Sequence, residues 1–177
     1  VAIPNAFTAA ELELLRQVAA GARVVEAGAL LGFSTVTIAE VAREVVSIDP
    51  HQGYPAAAPR STWEQFSANL REYGVVDRVT AIRGSAEDWL PAMRADLAFF
   101  DLTGEYDVTA ACLNRAPHVP RVAMHDYQRA DCAGATRAVE EFISRRGRAV
   151  TRAGTLIVID QVPIESEVSG CGAGPLG

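Results

Sequence analysis

The sequence predicts a doubly wound α/β sheet, mostly parallel and closed by an antiparallel hairpin. Three observations carry that prediction. Five short apolar runs alternate with stretches of helical periodicity along the 177 residues. The first run, Val24–Ala27, passes through Gly28 and Gly32 straight into the helical pattern Val36-Thr37-Ile38-Ala39. Two last apolar runs are separated only by the turn signal Ala153-Gly154, the spacing of a hairpin.

The elements follow in order. Thr8, with Glu11 three residues on, is a capping box for a helix reaching Ala20, and Leu12, Leu15 and Val18 give it an apolar stripe. The first strand is Arg23–Ala27, and the next helix is Phe33–Arg43. Val45–Ile48 is the second strand, ending at Asp49-Pro50, and a loop covers His51–Arg60. Ser61 and Glu64 form a second capping box for a helix to Tyr73, stopped by Gly74. Arg78–Arg83 is the third strand, and Ser85 caps a short helix. Ala95–Phe100 is the fourth strand, Tyr106–Asn114 a helix, Arg121–Met124 the fifth strand and Gly134–Arg145 the last helix. Arg148–Arg152 and Thr155–Ile159 make the hairpin. Residues 1–164 read as one domain, and 165–177, rich in Gly and Ser, as a flexible tail.

Composition narrows the function. The net charge is −6, without the basic stripe of a nucleic-acid binder. All 16 basic residues are arginine, which excludes a lysine-bearing phosphate loop, a Schiff base and a pyridoxal-phosphate anchor. Cys112, Cys132 and Cys171 have neither metal-ligand nor disulfide-framework spacing, as expected of a cytoplasmic protein. No signal peptide or membrane-length apolar run is read, and no membrane partner is expected.

Ligands of such sheets bind beyond the carboxyl ends of the strands, near the reversal in strand order. Acids or histidine follow four of the five predicted strands: Glu26, Asp49, Asp101 and His125-Asp126. Asp49 follows Glu26 by 23 residues, the place of an acid that accepts from a ribose diol. The glycines are spaced G-x-x-x-G, with Leu30 where a dinucleotide fingerprint has the glycine that admits a pyrophosphate. A cofactor with an adenosine and no phosphate suits this turn better.

Glu26-Ala27-Gly28-Ala29-Leu30-Leu31-Gly32-Phe33-Ser34-Thr35 resembles the first motif of class I S-adenosylmethionine-dependent methyltransferases, in the form found in small-molecule O-methyltransferases. Ser47-Ile48-Asp49-Pro50, Arg83–Asp88, Phe99-Phe100-Asp101 and His125-Asp126-Tyr127 resemble the family's later motifs in the right order. The resemblance runs from Gly21 to Ile159 and implies a Rossmann-like sheet of strand order 3-2-1-4-5-7-6. It implies that Gly28, Ala29 and Gly32 line the methionine part of S-adenosylmethionine, with Glu26 and Ser34 at its polar end. Asp49 would take the ribose hydroxyls, and Pro50, His51, Ser85 and Ala86 would frame the adenine. Asp101 would contact the cofactor or, with Asp126, hold a divalent ion such as Mg²⁺. Asp126 would otherwise cap the next helix. His125 is the candidate general base, as a neutral imidazole, or else a structural histidine bridging strand ends.

The implied activity is methyl transfer to a small molecule, at a hydroxyl, in a chain able to form a homo-oligomer. One alternative is a cofactor-binding protein or regulatory subunit without turnover. It arises because Asp101-Leu102-Thr103-Gly104-Glu105-Tyr106 lacks the second acid and the histidine of the family's Asp-Gly-Asp-His-x-Tyr. The other is an NAD-dependent oxidoreductase, which the glycine spacing disfavours. Trp63 and Trp89 read as packing residues, and His118 as a loop residue.

Overall fold

The computed structural model describes residues 2–53, 60–116 and 118–161. The expected tail 165–177, with Cys171, lies outside the described residues, as do Pro55, Pro59 and Pro117. Seven strands build one sheet: β1 (Arg23–Ala27), β2 (Glu44–Asp49), β3 (Val79–Arg83), β4 (Leu97–Phe100), β5 (Arg121–Met124), β6 (Gly147–Ala153) and β7 (Leu156–Gln161). Their order is β3-β2-β1-β4-β5-β7-β6, as expected. The first five pair in parallel, while β7 runs antiparallel to β5 and β6.

Six helices flank the sheet among the described residues: α1 (Ala9–Ala19), α2 (Phe33–Ala39), α3 (Trp63–Glu72), α4 (Ala86–Trp89), α5 (Tyr106–Arg115) and α6 (Ala133–Arg146). Two apolar cores result. One holds Phe100, Met124 and Phe142, the other Leu15, Ile38 and Phe99. Phe99 and Phe100 point to opposite cores because neighbouring strand residues face opposite sides. All four residues of β4 are buried, as expected of a central parallel strand covered on both faces.

Local expectations fail where a tertiary partner takes a group that local rules had assigned. The α1 capping box forms and Leu15 of the expected stripe is buried, but the buried face is Glu11, Leu14, Leu15 and Ala19, with Leu12 and Val18 only partly covered. The reason is Glu11, whose carboxylate accepts from Thr155 and so turns that face inward. Helix α2 stops at Ala39, short of Arg43, because the chain swings back so that Gly21 N donates to Val41 O and Arg43 N to Ala22 O. The Ser61 capping box is absent. Thr62 is the N-cap of α3 and makes no side-chain cap bond, since its hydroxyl pairs with His51 Nδ1 at 2.8 Å. Ser85 is the N-cap of α4, also without a side-chain bond. Strand β4 starts at Leu97, because the Asp96 carboxylate turns back to accept from Arg23 N.

Candidate active site

Strand β1 lies between β2 and β4, so the strand order reverses beside it. Beyond Ala27, Gly28 has φ +89°, and a Cβ there would collide with the backbone carbonyl oxygen of Asp101. Only glycine lets the turn after β1 approach the end of β4 this closely. Asp49, at the end of β2, fixes the turn. Its Oδ2 accepts from Ala29 N at 2.7 Å and Leu30 N at 2.9 Å, and its Oδ1 accepts from His51 N at 2.6 Å. Leu30 holds a left-handed φ of +48°, a strained conformation that these bonds compensate.

Glu26 lies beneath the turn, fully buried. Its carboxylate accepts from Ser34 Oγ at 2.6 Å, Thr35 Oγ1 at 2.5 Å and Ser47 Oγ at 2.7 Å. Burial pushes its pKa up to about 7, against the three hydroxyl donors, with Asp101 adding to the rise.

Above the strand ends opens a cavity of about 470 Å³. Gly28, Ala29, Ser34, Asp49, Pro50, Ser85 and Ala86 line one part, and Asp101, His125, Asp126 and Arg129 another. Asp101 and His125 continue the neighbouring strands β4 and β5, whose last residues Phe100 and Met124 are in register. The imidazole of His125 is 3% exposed and stacks on Phe7, with centroids 4.0 Å apart. Its Nδ1 is 3.3 Å from Asp126 Oδ1 and 3.6 Å from Asp101 Oδ1, and its Nε2 is 4.0 Å from Glu11 Oε2. Burial alone would lower its pKa, but Asp101, Asp126 and Glu11 outweigh burial and raise it. Burial, with Asp101 close by, raises Asp126. Donor atoms of Asp101, His125 and Asp126 lie within 4.8 Å of one another, and two carboxylates with an imidazole are a donor set that fits a divalent ion.

A family profile described as methyltransferase domain matches residues 25–127, more than half of the chain, from β1 to just past His125-Asp126. The chain belongs to the methyltransferase-domain family. It is thus an S-adenosylmethionine-dependent methyltransferase, and the nicotinamide reading is set aside. No curated protein sequence matches significantly. Solved structures do. The O-methyltransferase NovP superposes with a TM-score of 0.70 at 20% identity, covering 85% of this chain and 78% of NovP. TomG, an O-methyltransferase from Streptomyces achromogenes, gives 0.63 at 21% identity, covering 89% of this chain and 82% of its own. An rRNA methylase from Streptococcus thermophilus gives 0.63 at 17% identity, with 85% and 93% covered. At these identities the likeness is one of fold.

Within the methyltransferase, the expected site residues divide. Gly28, Ala29, Ser34, Asp49, Pro50, Ser85, Ala86, Asp101, His125 and Asp126 all reach the cavity. Three others sit behind its wall. Gly32 also has φ +89°, but a Cβ there would meet the Phe66 ring at 3.0 Å, so it is a glycine of helix packing. Glu26 braces the turn from below. His51 is 1% exposed and is held between Thr62, Trp63 and Phe66. Three carboxylates surround His125 and raise its pKa, which favours the imidazolium relative to a free histidine. Trp89, expected to pack, is 45% exposed. Glu11 and Phe7 are the residues that sequence reasoning missed. The capping box marked Glu11, but nothing local placed it within reach of His125.

Proposed function

We propose that this methyltransferase acts on a hydroxyl of a small molecule. The observation that carries the reading is the Asp101–His125–Asp126 wall, which shares one cavity with the Gly28–Asp49 turn. A volume of about 470 Å³ is in the range of small-molecule sites, and the net charge of −6 with an acidic wall suits a neutral or cationic acceptor better than a polyanion.

In this reading Asp49 accepts from the ribose, using a lone pair of Oδ1 that the backbone leaves open. Pro50, Ser85 and Ala86 frame the adenine, and Gly28, Ala29 and Ser34 border the methionine part. The cofactor supplies a methyl group already activated on sulfur. What the chain adds is alignment of the acceptor oxygen with that methyl, an effect worth up to about 7–11 kcal/mol, and a place for the hydroxyl proton. His125 is the proton acceptor when an acidic neighbour carries the resting proton of the cluster, and Asp101 and Asp126 stabilise the imidazolium. A divalent ion held by Asp101, His125 and Asp126 would lower the pKa of an acceptor hydroxyl.

The test is transfer of labelled methyl from S-adenosylmethionine to a panel of phenols, catechols, sugar alcohols, amines and RNA, with the product's new bond assigned by NMR. Methyl ethers are the expected products, at a rate lowered at least about tenfold by His125→Ala. Methylation of RNA or of amines alone would overturn the reading.

A further inference from the structure

The turn between β1 and α2 is held on two sides, and Asp49 accounts for only one of them. The N–H side belongs to β2. Ala29 N and Leu30 N donate to Asp49 Oδ2, and Gly28 N donates to Ile48 O at 3.0 Å. The carbonyl side belongs to α3. Asn69 Nδ2 donates to Leu31 O at 2.7 Å. Asn69 is 4% exposed, and its Oδ1 accepts from Gln65 Nε2 at 2.9 Å, which fixes the amide with its donor toward the turn. At the start of the same helix, Thr62 pairs with His51 Nδ1 at 2.8 Å, and that ring also hydrogen-bonds the Leu30 backbone. Phe66 lies between these two points and closes on Gly32. Thr62, Phe66 and Asn69 are spaced by four and three residues, so one face of α3 presents all three to the turn.

The turn needs this hold. Leu30 keeps a φ of +48°, a left-handed conformation that leucine rarely adopts. Strained backbone of this kind persists only where the surroundings over-determine it. Relaxation of Leu30 to negative φ would swing the Leu31 carbonyl away from Asn69 and leave a buried amide without its acceptor, which is costly. Leu30 and Leu31 line the cavity beside Gly28 and Ala29, so the conformation that α3 enforces is the one that shapes this wall.

Resting on the reading that this turn borders the methionine part of the cofactor, we propose that Asn69 is a positioning residue for cofactor binding. Together with the Thr62–His51 pair, it makes α3 a clamp that keeps the Leu30 turn in its binding-competent form. Apparent affinity falls with the fraction of molecules whose turn is competent. By linkage, the cofactor tightens the clamp by the factor with which the clamp tightens the cofactor.

The experiment is calorimetry with the demethylated cofactor on the full chain, in a double-mutant cycle of Asn69→Leu and Leu30→Gly. Asn69→Leu keeps the size of the side chain and removes the donor, and it should lower affinity at least about tenfold. Glycine adopts positive φ without strain, so in the Leu30→Gly background the same substitution should cost no more than about threefold. Unchanged affinity in Asn69→Leu, or an equal loss in both backgrounds, is what a merely structural asparagine would give, and either result overturns the proposal. Circular dichroism checks that each variant is folded. If Asn69→Leu does not fold, the wild-type chain decides: NMR should show exchange of the Asn69 side-chain amide protons slowed at least about tenfold by the demethylated cofactor, and unchanged exchange overturns the clamp. The same spectra separate the underlying reading. A bound cofactor that leaves the Ala29 and Leu30 amides unprotected would remove the turn from the cofactor site, and the clamp with it. Protection of those amides with unchanged affinity in Asn69→Leu would defeat the clamp alone.

Discussion

Asp49 combines two tasks that the sequence could not separate. Its spacing from Glu26 suggests a ribose acid, and three of its acceptor positions are taken by the N–H groups of Ala29, Leu30 and His51. Asp49→Ala therefore removes the brace of the turn and, on the proposed reading, a cofactor partner as well. A charged hydrogen bond is worth roughly 1.5–3 kcal/mol, so calorimetry with the demethylated cofactor should show affinity lowered at least about tenfold. Unchanged affinity would refute the role. Glu26 gives a prediction of opposite character. Its carboxyl titrates at about 7 when folded and near 4.5 otherwise, so the native state binds the proton more tightly. Its contribution is complete below pH 4.5 and is lost as pH rises through 7. Relative to wild type, Glu26→Gln should gain up to about 3 kcal/mol across that window, measured by urea unfolding at a series of pH values. A stability difference independent of pH would show that Glu26 does not titrate there.

Helix α1 shows how an element serves the site from a distance. Its capping box was legible because Thr8 and Glu11 are local to each other, but the same carboxylate also holds the β6–β7 turn through Thr155. Gly154 completes the fit, since a Cβ there would stand 2.5 Å from Glu11 Oε1. The hydrogen bonds outweigh burial and hold Glu11 at about 2, below the ordinary 4.5. Its stabilisation is therefore present above pH 4.5 and is lost as pH falls toward 2. Glu11→Gln should destabilise the fold by about 2–3 kcal/mol at pH 7, with the difference shrinking toward pH 2. Hydrogen exchange should quicken in the β6–β7 turn of that variant while α3, which shares no bond with Glu11, is unaffected. The expected cap at Ser61, displaced to Thr62, teaches the converse. A motif three residues long says which bonds are possible, and Thr62 shows that a histidine 11 residues away can take the hydroxyl first.

At the scale of the molecule, the strand order places the ends of β1, β2, β4 and β5 under one cavity. A ligand that fills it binds the folded state alone. At about 100 times its dissociation constant, S-adenosylmethionine or its demethylated product should add about 2.7 kcal/mol, seen as a raised Tm in differential scanning fluorimetry. NAD should give no comparable rise, because Leu30 stands where a pyrophosphate needs glycine. An equal rise with NAD would contradict that account of the turn. No helix among the described residues is long and apolar enough to cross a membrane.

By itself the sequence determined the alternation of strands and helices, the antiparallel close, the glycine turn and the acids at the strand ends. Each of these is written in residues near one another, as apolar periodicity, a turn signal or a fixed spacing. Tertiary structure alone decided which of those residues face the cavity. Gly28 and Gly32 have the same φ and lie four residues apart, yet one opposes Asp101 across the sheet and the other the ring of Phe66. Glu26 and Asp49 both lie in the last two residues of parallel strands, yet one is sealed under hydroxyls and the other reaches the cavity. His125 acquired three carboxylate neighbours, of which only Asp126 adjoins it in the chain. Burial and charge at a site depend on contacts between distant segments, and local sequence carries no record of them.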